Sequence, residues 1–481
     1  MSARGLLGAL LMAAVAAAAA PGDLAEAAKR GQWAEVRALL SAKADARFVQ
    51  PDGMTALHWA VQANQEEIVG ALLNAGADPK AANRYGITPL WLAATNGSAT
   101  VARVLLKAGA SATATLPHGE TALMAAARTG EPDTLRVLLE AGSDPNAKES
   151  SQGETALMWA AAENHPDAIR ALIKGGADPN VHGKALDLAP MQWMQVGMVD
   201  TILARGGFTA LMYAARQDAK AAVLALTESG ADLNARDPDG TTAIQFAIMN
   251  QHYDLAALLL ERGADSNVAD NTGMTAVYAA VDMNTFRSDI GRPPRLLLDK
   301  LGALDVVRLA LAHGGNPNAQ LRKPIIGRHH GFGDGSLGEG ATALMRAVKG
   351  PDLEAMQVLL EGGANPSLGM ANGSTPLQLL AGTRVGPGPG VADKVMQALR
   401  LLAKHGAKLN QANQRGETAL HTAARQGSNA IVRALVELGA DLNATDSSGK
   451  TALDLVAVPG RGGHEDTAAL LRELTAKSAK Q

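Results

Sequence analysis

The chain of 481 residues contains no cysteine, so it forms neither a disulfide nor a lipid attachment through a cysteine. Its formal net charge is only -3, which argues against non-specific binding to nucleic acid or to a membrane surface. It also lacks a serine-elbow motif, a zinc-protease helix and a carboxylate pair that would stand out as catalytic. We therefore expect a non-enzymatic protein without a cofactor, whose stability rests on packing alone.

A long apolar run occurs only at the start of the chain. Residues 1–20 carry one charge, at Arg4, followed by apolar residues and a run of alanines before Pro21. This layout is typical of a secretory signal peptide with cleavage after Ala18 or Ala19, and the low aromatic content of 3% fits a bacterial export substrate. An uncleaved anchor is the alternative, although about 16 mostly alanine residues are few for a span that needs roughly 20. We expect an exported protein, periplasmic or extracellular, with no stable membrane insertion after cleavage.

One short phrase, Gly-x-Thr-(Ala/Pro)-(Leu/Ile/Val), occurs eleven times in the rest of the chain. Its glycines are Gly53, Gly86, Gly119, Gly153, Gly207, Gly240, Gly273, Gly340, Gly373, Gly416 and Gly449. Six of the ten intervals between them are 33 residues long. A fixed period of this length indicates stacked units, each of which contacts only its neighbours.

The residues of the phrase suit the start of a helix. In the unit that begins at Gly86, the Thr88 side chain can cap the helix, Pro89 fits the first helical position and Leu90 begins the apolar stripe. Each unit then closes with a phrase such as Leu-Leu-x-x-Gly-Ser-Asp-Pro-Asn at 138–146, whose glycine can adopt the left-handed conformation that ends a helix. Each unit is therefore predicted to contain two helices and a turn.

Together these phrases resemble the ankyrin repeat over almost the whole chain. The resemblance implies an all-α repeat solenoid of about 12 units, with a capping repeat at 21–52 and an array at 53–480. Stacked layers would make it a rod or arc of roughly 100 Å. The resemblance also implies an interaction scaffold whose partner is another protein, and we expect a monomer.

Four insertions interrupt the 33-residue period, near 181–206, 284–302, 321–339 and 383–392. The first and third enlarge the hairpin between two units, which is the finger-like tip of an ankyrin repeat, and we call them the first finger (181–206) and the second finger (321–339). The other two separate the two helices of one unit, at the opposite end from the tips. Since regular units supply only the frame, we expect the insertions to add specificity.

The two fingers bracket the units that start at Gly207, Gly240 and Gly273, a stretch of roughly 30 Å. We expect them to form the walls of a partner-binding groove. The ankyrin resemblance implies candidate binding residues on first helices and hairpin tips: Arg216, Gln217, Met249, Asn250, Asp282, Met283, Pro238, Asp239, Asn271, Thr272 and, in the second finger, Arg328. Any one of these positions could equally be an ordinary solvated residue.

The second finger also contains weak candidate metal ligands, His329, His330 and Asp334. Adjacent loop residues rarely converge on one ion without a distant third ligand, so packed histidines are the more common outcome. The stretch 285–330 holds eight Lys or Arg against three Asp or Glu, which would suit an acidic partner or an anionic ligand.

Two further motifs have ordinary explanations. Met191, Met194 and Met198 in the first finger share helical spacing and could bind Cu(I), but methionines at this spacing more often pack against apolar surfaces. The segment 444–451 resembles a nucleotide-binding loop, yet it has the same phase as the other repeat phrases and no strand is expected before it. We interpret that match as a coincidence.

Aromatic residues recur six positions after the repeat glycine, at Trp59, Trp159, Tyr213 and Phe246. Their regular phase predicts packing in the core or between repeats. His58 and His421 lie one position earlier, where the ankyrin resemblance implies structural hydrogen bonds, and most other units have methionine there.

The sequence therefore favours an exported ankyrin-repeat scaffold that binds another protein. Two alternatives remain open: an effector delivered to another cell, and a protein that binds a small ligand or a metal through its fingers.

Export gives the first testable prediction. Because Arg4 and the apolar residues after it have the order of a cleavable signal, amino-terminal sequencing of the mature protein should begin between about Ala17 and Pro21. A soluble cytoplasmic product that retains Met1 would contradict the predicted localisation.

Overall fold

The computed structural model describes residues 22–186, 206–285, 299–324, 337–383, 391–457 and 465–478. These ranges contain 24 helices, two for each of twelve repeats; repeat 1 precedes Gly53, and repeats 2 to 12 begin at the eleven phrase glycines. In chain order the helices are α1 (Asp23–Lys29), α2 (Trp33–Ser41), α3 (Ala56–Gln62), α4 (Glu66–Asn74), α5 (Pro89–Thr95), α6 (Ala99–Lys107), α7 (Ala122–Thr129), α8 (Pro132–Glu140), α9 (Ala156–Ala162), α10 (Pro166–Lys174), α11 (Ala210–Arg216), α12 (Lys220–Glu228), α13 (Ala243–Met249), α14 (Tyr253–Glu261), α15 (Ala276–Thr285), α16 (Ala303–Ala312), α17 (Ala343–Lys349), α18 (Leu353–Glu361), α19 (Pro376–Ala381), α20 (Val391–Lys404), α21 (Ala419–Arg425), α22 (Asn429–Glu437), α23 (Ala452–Val456) and α24 (Glu465–Ser478). The predicted all-α repeat solenoid is confirmed.

The described residues form two compact units. The first unit holds repeats 1 to 6 (22–186 and 206–238), and the second holds repeats 7 to 12, from Asp239 onward. Within each unit, the first helices of successive repeats pack on one another in one layer and the second helices in another. The core lies between the layers and consists of alanine, leucine, valine and isoleucine side chains, with Ala60 and Leu72 fully buried. Burial of each leucine stabilises the fold by about 1.5–3 kcal/mol.

Local chemistry sets the ends of the helices as predicted. Thr88 has an extended backbone before α5, and its hydroxyl oxygen accepts the Trp91 N–H at 3.2 Å. At the other end, Gly76 has φ +90° and Gly142 has φ +88°, the left-handed conformation that ends α4 and α8.

The third residue of the first helix connects a repeat to the next hairpin. Thr55 caps α3, and its backbone nitrogen lies 3.2 Å from His58 Nδ1. His58 Nε2 lies 3.0 Å from the Ile87 carbonyl oxygen. Because an amide N–H only donates and a carbonyl only accepts, the imidazole carries its proton on Nε2. One side chain thus accepts from its own helix cap and donates to the following repeat.

Glutamine makes the same two bonds in other repeats. Gln245 Oε1 accepts the Thr242 N–H at 2.8 Å, and its Nε2 donates to the Met274 carbonyl at 2.5 Å. Gln378 and His421 bridge to Glu417 and Lys450 in the same way. Methionine supplies only the acceptor: Met158 Sδ lies 3.4 Å from the Thr155 N–H, and a thioether has no proton to donate.

An asparagine ladder joins the turns that follow the second helices. Asn146 Nδ2 donates to the Gly176 carbonyl (3.0 Å), and its Oδ1 accepts the Asp178 N–H (2.9 Å). The same pair of bonds runs from Asn180 to Gly230 and Asp232, from Asn267 to Gly314 and Asn316, and from Asn318 to Gly363 and Asn365. These later pairs span three of the four insertions, so the repeats on either side of each insertion are joined by the same bonds as uninterrupted repeats.

The hairpin that carries the first finger is closed at its base by backbone hydrogen bonds. The Gly183 N–H donates to the Phe208 carbonyl at 3.0 Å, and Ala185 forms a β-bridge with Gly206. Residues 187–205, which contain the predicted methionine cluster, lie outside the described residues.

The second finger has a similar base. The Leu321 N–H donates to the Ala341 carbonyl at 2.9 Å, and Gln320 forms a β-bridge with Thr342. Residues 325–336 lie outside the described part of the chain.

The insertion in repeat 8 is fixed at its far end. Asp254, at the start of α14, accepts the N–H groups of Lys300 and Leu301, each at 3.1 Å, and its own N–H donates to Asp299 at the same distance. The insertion in repeat 10 coincides with a longer second helix, since α20 has 14 residues where α18 has 9.

His58 makes the stability of repeat 2 sensitive to pH. Burial lowers the pKa of His58 below its ordinary value of 6.5, although bonds to the Ile87 and Ala81 backbone and the charge of Asp52 oppose the shift. The unfolded chain therefore takes up a proton near pH 6.5 while the folded chain does not. The contribution of His58 is full above pH 6.5 and is lost as the pH falls through the lowered folded pKa.

The change His58→Gln should remove this dependence and keep both hydrogen bonds, as Gln245 does. Hydrogen exchange of the α3 amides, measured at pH 5.5 and 7.5, should then show the same protection at both pH values. His58→Met, which lacks the forward donor, should lower the local opening free energy by about 1 kcal/mol at pH 7.5. An unchanged acid response in His58→Gln would contradict the assignment.

The closed base of the first finger predicts that the inserted residues are dispensable for folding. Replacement of residues 187–205 by Asn-Gly should leave the amides of repeats 5 and 6 as protected from exchange as in the parent. Loss of protection in α9 and α11 would show that the insertion supports the frame.

Candidate partner-binding site

The predicted binding residues divide between the two units. In the first unit, Arg216 and Gln217 are exposed at the end of α11, and the Arg216 guanidinium lies 4.9 Å from the centre of the Phe208 ring. Pro238 is half-buried in the hairpin that follows α12. Arg216 and Gln217 are thus available to a partner.

In the second unit, hydrogen bonds within and between hairpins involve three of the predicted binding residues, Asp239, Asn271 and Thr272. The Asn271 N–H donates to the Asp239 carbonyl at 2.9 Å, and the Thr272 hydroxyl donates to Asp270 at 2.5 Å. Asp239 is buried, whereas Asn271 is exposed.

The expected exposure is wrong for two helix residues of the second unit. Met249 is only 7% exposed because it belongs to α13, whose seven residues are apolar on nearly every side and all buried. Asp282 is also 7% exposed, and its carboxylate pairs with the Arg346 guanidinium of the next repeat. Asn250 and Met283 are half-buried.

The remaining predicted residues, Arg328, His329, His330 and Asp334, lie outside the described residues. The groove between the fingers stays a prediction, because its walls are largely undescribed and its floor belongs to both units. Within the described ranges, no three His, Asp or Glu side chains are placed to hold a metal ion, and no helix is long and apolar enough to cross a membrane.

A pocket that the sequence did not predict lies within the first unit. We call it the aromatic pocket; its volume is about 230 Å³, and it is lined by Arg128, Glu154, Met158, Trp159, Ala162, Glu163 and Tyr213. Arg128 comes from the end of α7, Trp159 from α9 and Tyr213 from α11. Three successive first helices therefore contribute one aromatic or cationic side chain each.

Glu154 holds the two rings of the pocket in place. It is the middle residue of the Gly-x-Thr phrase, so it lies on the hairpin just before α9. Its Oε2 accepts the Trp159 indole N–H at 2.8 Å, and its Oε1 accepts the Tyr213 hydroxyl. Both polar groups of the rings are satisfied, so the ring orientations are fixed.

Tyr213 remains a hydrogen-bond donor over a wide pH range. Burial raises the pKa of its phenol well above the ordinary value, and the hydrogen bond and charge of Glu154 raise it further. The ring also makes an edge contact with Phe208, with centroids 5.6 Å apart and planes at 84°.

Arg128 lies at the rim. Its guanidinium is 5.9 Å from the centre of the Trp159 ring, a distance suited to a cation–π contact. The Arg128 and Glu163 side chains are exposed, whereas Trp159 and Tyr213 are half-buried. The pocket is therefore open to solvent.

Phe246 is buried, at 6% exposure, and Trp159 and Tyr213 make contacts between repeats, as predicted, but these two rings are only half-buried. A signal was available, since the position of Trp159 is occupied by Arg346 in repeat 9 and by Thr422 in repeat 11. A position that accommodates arginine is not part of a sealed core.

The segment 444–451 has the structure of its repeat. Thr451 caps α23, and its N–H donates to the Asp454 carboxylate at 2.9 Å. The interpretation of its nucleotide-loop resemblance as a coincidence agrees with this arrangement.

Comparison with known proteins gives the same architecture. A family model described as ankyrin repeats (3 copies) matches residues 24–116, 112–183 and 211–290, and a model described as ankyrin repeats (many copies) matches residues 402–456. Among solved structures, the human ASB11 ankyrin repeat domain is 27% identical, covers 50% of this chain and 97% of its own, and has a TM-score of 0.41. Since the segments matched by the family models cover more than half of the sequence, the chain belongs to the ankyrin-repeat family.

Proposed function

We propose that this chain is an exported, non-enzymatic scaffold that binds another protein through the first-helix face of its first unit. We define this face by the exposed residues at the ends of the first helices, Gln62, Arg128, Glu163 and Arg216. The ankyrin repeats indicate a protein–protein interaction scaffold. The export step rests on the order of charge and apolar residues in 1–20.

The observation that carries the proposal is the aromatic pocket. Leu92 and Ala125 occupy the position of Trp159 in repeats 3 and 4, so a regular repeat does not need an aromatic ring there. A half-buried tryptophan and tyrosine beside an arginine match the residue types that dominate the energy of protein interfaces. We infer that the pocket is the anchor point for the partner.

The pocket is also prepared for binding before the partner arrives. Glu154 fixes Trp159 and Tyr213 through hydrogen bonds, so little side-chain entropy remains to be lost on association. A side chain that must be ordered at an interface costs about 0.5–1.5 kcal/mol, which this arrangement avoids for two residues.

The base of the first finger lies next to this anchor. The Lys184 N–H at its base donates to the Gln152 carbonyl at 2.6 Å, and Gln152 is two residues from Glu154. A partner seated in the pocket would therefore lie close to the base of the first finger.

Site-specific photo-crosslinking in intact cells tests the proposal. A photoreactive residue in place of Glu163 or Arg216 should give adducts with a partner protein of the compartment that receives the mature chain. The matched controls are Arg136 and Arg170, which are also exposed but lie on the second helices α8 and α10. Equal adducts from both sets would remove the first-helix face as the binding surface.

A further inference from the structure

We propose that the aromatic pocket receives a cationic side chain, arginine or lysine, of the partner protein, and that this side chain displaces Arg128 from Trp159. The inference rests on the proposed function, because it names the chemistry of the anchor point.

The first argument is charge. Two carboxylates, Glu154 and Glu163, line the pocket together with one guanidinium, that of Arg128. Glu154 accepts hydrogen bonds from Trp159 and Tyr213, which are both neutral donors, and no residue in the described ranges forms a salt bridge with it. Its carboxylate is thus oriented by two neutral donors, and a further cation, Arg216, acts through its charge on the neighbouring Tyr213 hydroxyl. An acidic side chain would be repelled here, whereas a cation would be attracted.

The second argument is the aromatic lining. Ring faces carry negative electrostatic potential, so a cation within about 6 Å of a ring centre is attracted to it, and more strongly when the pair is desolvated than when it is exposed. Trp159 and Tyr213 both line the pocket. A cationic side chain that enters the pocket beside these rings and the carboxylates would gain from both interactions.

The third argument is that the chain itself already places a cation there. The Arg128 guanidinium lies 5.9 Å from the Trp159 ring centre, on an exposed side chain. An exposed contact of this kind is weak and gives way easily to a better-placed cation. Arg128 thus marks where a guanidinium fits and competes for the same place.

The size of the pocket is that of a side-chain site. Its volume of about 230 Å³ falls below the roughly 300–1,000 Å³ typical of pockets for small molecules and cofactors. It is large enough for one long side chain and too small for a folded segment.

The binding test uses two probes, N-acetyl-arginine methylamide and its uncharged counterpart N-acetyl-norleucine methylamide. The mature protein is labelled with 5-fluorotryptophan, and the Trp159 fluorine signal is assigned by its absence in Trp159→Phe. The arginine compound should shift this signal with a Kd in roughly the millimolar range, about −4 kcal/mol, as expected for a single side chain. The norleucine compound should bind at least about tenfold more weakly, and N-acetyl-glutamate methylamide should not bind.

Two variants separate the contributions. Glu154→Gln should weaken the arginine compound about tenfold, since it removes the charge and keeps an acceptor. Arg128→Ala should strengthen it about threefold, because it removes the competing cation. Arg425→Ala is the matched control, with an arginine at the equivalent position of repeat 11, and should change nothing. Unchanged Trp59 and Trp91 signals show that the fold is intact.

Equal binding of the norleucine compound would overturn the inference in favour of an apolar anchor. Preferential binding of the glutamate compound, lost in Arg128→Ala, would assign the pocket to an acidic side chain instead. Crosslinks at Arg216 that are insensitive to Glu154→Gln would leave the scaffold standing and refute the cationic anchor. Binding of the arginine compound without crosslinks on the first-helix face would support a cationic site and refute the proposed partner-binding face.

Discussion

Successive repeats are held together by packing, and in four of them one buried side chain also accepts a hydrogen bond from its own helix cap and donates one to the next hairpin. Histidine and glutamine do both, as His58 and Gln245 show, and methionine does only the first, as in Met158. The donor matters because the carbonyl it reaches belongs to the next repeat. Repeats 2, 7, 10 and 11 are therefore joined forward by this bond, and repeat 5 is not.

The aromatic pocket occurs where that forward bond is absent. Met158 lines the pocket, and in its place Glu154 reaches forward from the hairpin of repeat 5 to Tyr213 in repeat 6. The link has moved from the buried helix cap to the exposed end of the hairpin. The side chain that joins repeats 5 and 6 is therefore charged, half-buried and part of the pocket lining.

How far the sequence predicts the molecule depends on the range of the interaction. Contacts within a few residues set the threonine caps, the left-handed glycines and the helix pairs, so these features can be predicted from the sequence. The bond between Glu154 and Tyr213 joins residues 59 apart across an insertion, and the Asp282–Arg346 pair spans 64. Repeat phase alone places residues on a face, but it does not show which neighbours cover Asp282 and leave Trp159 partly open.

The contacts between the flanking repeats bear on the role of the first insertion. The asparagine ladder passes from Asn180 to Asp232, and the finger base closes at Ala185 and Gly206, so the repeats on either side are joined without residues 187–205. Ordering additional residues costs about 1–2 kcal/mol each, and the contacts described between these two repeats do not involve them. The first finger starts beside Gln152, close to the carboxylate that holds Trp159. The proposed anchor for one side chain would give little discrimination on its own, so we expect the residues inserted beside it to add the remaining specificity.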